Sequence, residues 1–188
     1  MAKGQQNVAE MPAKTGAGAD TQIIRRMYKN KVNLSEKTKK QVVEMLNAKL
    51  ADAADAYSQS KFAHWNVKGL NFYQLHLLFD TVAETIEPHA DMIAERITAL
   101  GGVANGTIRQ AVATSELPEY NVNAVSGPEH LTALIDVLGS YAASLRDAAE
   151  KAADFGDDPT HDFFNQMIID VEQKLYFLES HLENGETQ

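Results

Sequence analysis

Five side chains able to bind a metal ion lie close together in the middle of the sequence. His76 and Asp80 are four residues apart, as are Asp91 and Glu95, and His64 precedes both pairs. Residues four apart on a helix share one face, so each pair can present its two side chains together. On a face otherwise made of Leu, Phe and Val, polar groups are costly unless something binds them. The spacing therefore indicates a binding site, and the alternative is a weak polar contact on an exposed helix.

The two pairs are too far apart to hold one metal ion within one chain. Asp80 and Asp91 are eleven residues apart, about 16 Å along a helix axis, whereas metal–ligand bonds are about 2.0–2.2 Å long. The pairs then serve separate sites or meet between two chains. Positions 76 and 95 have the same midpoint as 80 and 91, at 85.5, so an antiparallel two-fold crossing there sets His76 beside Glu95. Imidazole and carboxylate ligands without thiolate suit Fe(II), Mn(II) or Zn(II).

Apolar residues recur at helical spacing in four long segments, which must position these side chains. Helices are predicted from Ser35 to about Lys61–Asn66, from Asn71 to Leu100, from the capping-box pattern at Ser126 to Phe155, and from Asp158 onward. Residues 103–127 form a long crossover with room for a short helix around Thr107–Val112. The predicted fold class is all-α. Four long helices with a long crossover between the second and third are typical of a ferritin-like four-helix bundle.

Composition and charge set the domain organisation. The chain has 188 residues, enough for one domain with a tail, and no cysteine, so no disulfide or thiolate metal site is expected. No apolar run approaches the roughly 18 residues of a membrane span, and the first thirty residues lack a secretory-signal pattern, so we expect a cytoplasmic protein outside the membrane. Residues 1–40 hold nine Lys or Arg against three acids, whereas the whole chain carries −9. We predict a flexible basic N-terminal arm (1–33), the bundle (34–183) and a C-terminal tail (184–188).

The sequence around these five residues resembles the signature of the Dps proteins, the mini-ferritins named as DNA-binding proteins from starved cells. The resemblance covers roughly residues 34–183 and rests on His64-Trp65-Asn66-Val67-Lys68-Gly69, Phe72, His76, Asp80, Asp91 and Ala94-Glu95-Arg96. It is specific because five ligand positions match together. The usual ferritin bundle places Glu-x-x-His ligand motifs inside one subunit. This sequence has no such motif, so the bundle either has no iron site or has it at an interface.

The resemblance implies a protein that stores iron and consumes peroxide. Dps proteins form hollow homo-dodecamers, built from two-fold dimers, with a ferroxidase centre at each two-fold interface. By this resemblance His64, His76 and Asp80 come from one subunit, and Asp91 and Glu95 come from its partner. The centre binds Fe(II), oxidises it, usually with hydrogen peroxide, and ferric mineral collects in the cavity, which protects DNA from oxidative damage. The chain is thus expected to be an enzyme, a ferroxidase.

The alternative function is a mainly architectural shell that binds DNA without sequence preference and whose metal site is weak or holds zinc. Basic residues of the arm that can neutralise phosphates are Lys3, Lys14, Arg25, Arg26, Lys29 and Lys31. Such arms bind DNA in some Dps proteins and not in others. The first twenty residues carry no net side-chain charge, and the denser basic block after them can instead pack on the shell. If DNA is bound, we expect the protein to be nucleoid-associated.

Three further polar features carry open alternatives. By resemblance, an acidic turn before the last helix lines a three-fold pore that draws in cations, whereas turn and capping chemistry also favours Asp there: Asp154, Asp157, Asp158 and Asp162. Trp65 adjoins the site and either traps stray oxidising equivalents or packs at the helix end. The remaining histidines lack carboxylates at useful spacing and are predicted at the surface or an interface: His89, His130, His161 and His181.

Overall fold

The computed structural model describes residues 21–182. Its helices are α1 (Glu36–Asn66), α2 (Phe72–Ala99), α3 (Ile108–Thr114), α4 (Gly127–Asp154) and α5 (Asp158–Glu179). Between residues 21 and 182 no strand forms, and one isolated bridge joins Lys68 and Ser126. No helix in this range is long and apolar enough to span a membrane. The prediction of an all-α bundle with a short helix in its long crossover is confirmed.

Side-chain caps fix where the helices begin. At the start of α1, the Ser35 hydroxyl accepts a hydrogen bond from the Thr38 backbone N–H at 3.0 Å. The predicted capping box starts α4, where the Ser126 N–H donates to the Glu129 carboxylate at 2.8 Å. Hydrogen bonds from the Ser126 and Val125 backbone lower the pKa of Glu129 to about 2. These contacts are local in sequence, which is why the helix starts are predictable.

The four long helices form two hairpins whose apolar faces meet. Helix α1 packs along α2, and α4 packs along α5, with α1–α4 and α2–α5 contacts joining the two hairpins. Each long helix sends a fully buried large side chain into the core: Leu46, Phe79, Leu138 and Phe164. Burial of side chains of this size contributes about 1.5–3 kcal/mol each. The core thereby holds the end of α1 against the beginning of α2, where the histidines of the candidate site lie.

An extended N-terminal strap, residues 21–34, runs over the bundle. The Asn105 side chain accepts from the N–H of Ile24 at 2.8 Å and donates to the carbonyl of Ile24 at 3.1 Å. Asn47 Oδ1 accepts from the Asn105 N–H at 2.8 Å. Farther along, the Tyr28 N–H donates to the Gly101 carbonyl at 2.7 Å. At Gly101, with φ of 89°, a Cβ atom would overlap the Tyr28 carbonyl, so glycine permits this close approach.

The strap carries four of the cations that the sequence assigns to DNA binding. Arg25, Arg26, Lys29 and Lys31 are all exposed. This denser basic block therefore packs on the bundle while it keeps its charges in solvent. The other two cations, Lys3 and Lys14, and the tail at 184–188 lie outside the described residues. The division into arm, bundle and tail stays a prediction.

Candidate metal centre

His64 and His76 form a reciprocal pair, the histidine clasp, where α1 ends and α2 begins. His64 Nδ1 is 2.7 Å from the His76 carbonyl oxygen, and His76 Nδ1 is 2.8 Å from the His64 carbonyl oxygen. The rings stack with centroids 3.8 Å apart and 21° between their planes. Because a carbonyl oxygen can only accept, each Nδ1 carries a hydrogen, which leaves Nε2 as the ring nitrogen able to bind a metal. A hydrogen bond of this kind is what usually orients a metal-binding histidine.

Asp80 adjoins the clasp and completes what we name the His half-site (His64, His76 and Asp80). Asp80 Oδ1 is 2.5 Å from Lys61 Nζ and 3.7 Å from His64 Nδ1. The hydrogen bond from Lys61 lowers the pKa of Asp80, so the carboxylate is ionised at neutral pH. Its side chain is 32% exposed and open to solvent ions. Lys61 was missed by sequence reasoning, because it lies nineteen residues from Asp80 and meets it only across the hairpin.

Asp91 and Glu95, named here the acid half-site, lie farther along α2. Both are exposed, and eleven residues of helix, about 16 Å, separate Asp91 from Asp80. Within residues 21–182, no group of three or more His, Asp or Glu side chains is arranged to hold a metal ion in one chain. The fold thus brings three of the five candidate ligands together and leaves two facing solvent. A single centre made of all five stays a prediction that needs a second copy of the chain.

The acidic turn between α4 and α5 is only partly available as a pore lining. Asp157 is buried, and Arg96 Nη2 binds its two carboxylate oxygens at 2.7 and 2.9 Å, so the pore prediction is wrong for this residue. The Thr160 hydroxyl donates to the same carboxylate at 2.6 Å. Three acids of the turn are exposed: Asp154, Asp158 and Asp162. Because Arg96 follows Glu95, this bridge fixes the end of α2 that carries the acid half-site against the start of α5.

A cleft of about 740 Å³ opens beside Lys61, between α1, α2 and the crossover. Lys61 and Trp65 line it from α1, and Ile108 and Val112 line it from α3. Trp65 is 64% exposed, and Lys61 Nζ is 5.9 Å from its ring centroid. The indole is therefore not packed into this chain's core, and it stands where the cleft meets the His half-site. Its role as an electron donor stays a prediction.

Two histidines predicted at the surface or an interface are buried within the single chain, so that prediction is wrong for them. His130 is fully buried, with Nδ1 2.7 Å from Tyr120 Oη. His89 is 2% exposed, with Nε2 3.5 Å from Asp170 Oδ2. Burial lowers the pKa of both imidazoles. The signal was present in the sequence for His130, which stands four residues before Leu134 on the apolar stripe of α4.

Solved structures share this fold. A ferritin-like domain family matches residues 43–187. DpsC from Streptomyces coelicolor superposes with a TM-score of 0.82 at 29% identity, covering 89% of this chain and 98% of that one. An archaeal Dps homologue from Halobacterium salinarum superposes with a TM-score of 0.75 at 30% identity, covering 89% and 97%. The helical bundle and the matched domain place this protein in the ferritin-like class.

Sequence relatives narrow the class. The DNA protection during starvation protein of Agrobacterium fabrum is 35% identical over 158 residues, which are 84% of this chain and 98% of that protein. The protein of the same name from Halobacterium salinarum is 35% identical over 146 residues, 77% of this chain and 79% of that protein. The chain belongs to the Dps family, as its motif predicted.

Proposed function

We propose that this protein oxidises Fe(II), preferentially with hydrogen peroxide, at centres between subunits and stores the ferric product inside a hollow dodecamer. The observation that carries the proposal is the histidine clasp. Its two Nδ1 atoms donate to carbonyl oxygens at 2.7 and 2.8 Å, which leaves the two Nε2 atoms for a metal ion, and the ionised Asp80 carboxylate lies 3.7 Å from His64 Nδ1. Imidazole and carboxylate together suit a divalent iron ion. Removal of peroxide and Fe(II) would protect DNA, the role for which the curated relatives are named.

A second copy of the chain would supply the missing carboxylates. The acid half-site is exposed, and its residues mirror those of the His half-site about position 85.5 of α2. In an antiparallel two-fold dimer, each His half-site faces the acid half-site of the partner. Beside the cleft, Ile108 and Val112 are 84% and 80% exposed, which favours a partner that covers them. Twelve subunits per shell is the assembly that membership of the Dps family suggests.

Fe(II) is the substrate of the proposed reaction. The clasp nitrogens and Asp80 bind from one subunit, and Asp91 and Glu95 bind from the other. Hydrogen peroxide takes one electron from each of two Fe(II) ions and, with two protons, leaves as two water molecules. Before iron binds, Lys61 neutralises Asp80 through their 2.5 Å ion pair. Zinc and manganese are compatible with the same ligand types, so either metal would compete with iron.

The exposed cations of the strap support non-specific DNA contact as a second function. Arg25, Arg26, Lys29 and Lys31 are presented on a segment tied to the bundle, so binding them to phosphates costs little chain ordering. A gel shift at low salt tests this contact. If the strap binds DNA, changing these four residues to Gln abolishes the shift, whereas deleting residues 1–20 leaves it. The opposite pattern would assign binding to Lys3 and Lys14. Cytoplasmic and nucleoid locations stay predictions.

The decisive experiment adds Fe(II) anaerobically to the metal-free protein and then injects half an equivalent of peroxide. Ferric absorbance reports oxidation, and a spin trap reports hydroxyl radical. We expect complete and fast oxidation of two Fe(II) per peroxide, no trapped radical, and soluble iron-loaded protein. Oxidation no faster than in buffer would overturn the proposal and favour the architectural shell.

A further inference from the structure

A buried polar pair lies near the His half-site and has no role in binding iron. Tyr120, in the crossover between α3 and α4, is 7% exposed, and His130, in the first turn of α4, is fully buried. Tyr120 Oη is 2.7 Å from His130 Nδ1. Burial raises the pKa of the phenol and lowers the pKa of the imidazole, so both groups are neutral near pH 7. We assign the phenol as hydrogen-bond donor and His130 Nδ1 as acceptor. The imidazole is therefore already hydrogen-bonded to the phenol as a base that can accept its proton.

The Tyr120 ring contacts the part of α1 that also carries Lys61 and His64. The Tyr120 ring packs edge-to-face on Phe62, with centroids 5.1 Å apart, and Phe62 precedes His64 by two residues. Tyr120 also lines the cleft that Lys61 and Trp65 line. Lys61 in turn holds Asp80 Oδ1 at 2.5 Å. The phenol and the His half-site therefore both have neighbours on the last turns of α1.

We propose that Tyr120 and His130 form a proton-coupled one-electron donor, which rests on the function proposed above. When only one Fe(II) occupies a centre, peroxide can draw one electron from that ion and needs a second to avoid releasing hydroxyl radical. Tyr120 supplies it. The phenol O–H bond breaks, its electron reduces peroxide, and its proton moves to His130 Nδ1. Two solvent protons complete two water molecules, leaving Fe(III), a Tyr120 phenoxyl radical and an imidazolium. A later Fe(II) returns one electron, and the proton goes back to the phenol.

The contrast with Tyr141 explains why this tyrosine and not another serves as donor. Tyr141 is completely buried, and its hydroxyl makes no hydrogen bond to residues 21–182. Oxidising it would release a proton with no hydrogen-bonded base among residues 21–182 to accept it. Tyr120 passes its proton over one hydrogen bond to His130. Both phenols are buried, and they differ in whether a base is hydrogen-bonded to the hydroxyl.

The test loads one Fe(II) per centre anaerobically, adds one equivalent of peroxide and freezes the sample for electron paramagnetic resonance. We expect a tyrosyl radical in the natural protein and in Tyr141→Phe, and its loss in Tyr120→Phe together with a rise in spin-trapped hydroxyl radical. His130→Gln, which removes the base, should lower the radical yield at least several-fold. A radical that survives in Tyr120→Phe, or none in the natural protein, overturns the inference.

Two further measurements separate this inference from the proposed function. At two Fe(II) per centre both electrons come from iron, so ferric absorbance should rise at the same rate in all three variants and the natural protein. If it rises normally while the radical experiment fails, only the Tyr120 inference is wrong. If no oxidation occurs even at this loading, the proposed function itself fails. If Tyr120→Phe does not fold, high-field electron paramagnetic resonance of the natural protein tests the inference instead. The spectrum should show one exchangeable hydrogen bonded to the radical oxygen, because His130 Nδ1 holds the transferred proton. A radical oxygen without that hydrogen bond would overturn the inference.

Discussion

The two halves of the proposed iron centre are built in opposite ways, although α2 carries residues of both. The His half-site sits in contacts made by its own chain: a stacked clasp with Nδ1–carbonyl distances of 2.7 and 2.8 Å and an Asp80–Lys61 ion pair. The acid half-site, Asp91 and Glu95, is exposed. One chain can thus orient imidazoles in advance, whereas under the proposed function the carboxylates would become ligands only when another chain presents them.

The largest effect is expected at the acid half-site. Asp91→Asn keeps the shape of the side chain and removes its negative charge, so Fe(II) affinity should fall at least about tenfold, since even outer partners of metal ligands cost about 10–100-fold. Anaerobic calorimetry measures the affinity. Glu150→Gln, at an exposed carboxylate of α4, is the matched control and should leave it unchanged. Equal affinities for Asp91→Asn and the natural protein would contradict the two-half centre.

Substitutions in the His half-site, unlike those in the acid half-site, should lower the stability of the fold as well as the affinity for Fe(II). His64→Ala removes the hydrogen bond to the His76 carbonyl, worth about 0.5–1.5 kcal/mol, and the stacking of the rings. The free energy of unfolding of the metal-free protein should therefore fall by about that amount, while Asp91→Asn leaves it nearly unchanged. Urea unfolding at one protein concentration compares the variants. An equal loss in both would remove the distinction between the half-sites.

Lys61 offers a third comparison, because under the proposed function it would compete with iron for Asp80, which only the His half-site contains. Lys61→Met keeps the aliphatic packing and frees Asp80 from its ion pair. We expect several-fold tighter Fe(II) binding by calorimetry. Lys37→Met, at an exposed lysine of α1, serves as control and should bind as the natural protein does. Weaker binding after Lys61→Met would show that the lysine supports the site instead of competing with the metal.

The smallest effect concerns pH. Lys61 lowers the pKa of Asp80 in the folded chain, so their pairing stabilises the fold above the ordinary carboxyl pKa and is lost as pH falls through the lowered one. The natural metal-free protein should therefore lose its stability advantage over Lys61→Met on acidification from about pH 6 to pH 3. Thermal unfolding across this range measures the difference. A gap that stays constant would show that Asp80 contributes nothing to it.

The sequence predicts the helices well because their determinants are local. Ser35 and the Ser126–Glu129 capping box act within four residues, and apolar periodicity defines the rest. The contacts that sequence reasoning missed join residues far apart in the chain. Lys61 meets Asp80 across a hairpin, and Arg96 reaches Asp157 from sixty-one residues away. No spacing rule indicates such pairs, because packing of one helix on another creates them.

The hydrogen-bond partner of the buried His130 also could not be predicted from sequence spacing. The absence of a nearby carboxylate in the sequence predicts this histidine at the surface or an interface. In the structure, Tyr120 instead forms a hydrogen bond with its Nδ1 in the interior. The strap is another example, because the Asn105 side chain accepts a hydrogen bond from the backbone of Ile24, eighty-one residues away in the sequence. The hydrogen-bond partners of these polar groups are therefore visible only in the tertiary structure. The pairing of the two half-sites belongs to the next level, that of the assembled dimer.

The histidine clasp also means that the two imidazoles are oriented for metal binding only after the chain has folded. Each imidazole is held by the other helix's backbone, so neither is oriented until α1 and α2 have closed into a hairpin. A nascent chain, or one that a protease has opened, would hold Fe(II) loosely at most. Under the proposed function, the reaction between iron and peroxide begins only in a chain that has folded and found its partner. If that function holds, unassembled subunits would not generate the hydroxyl radical that the assembled protein is proposed to avoid.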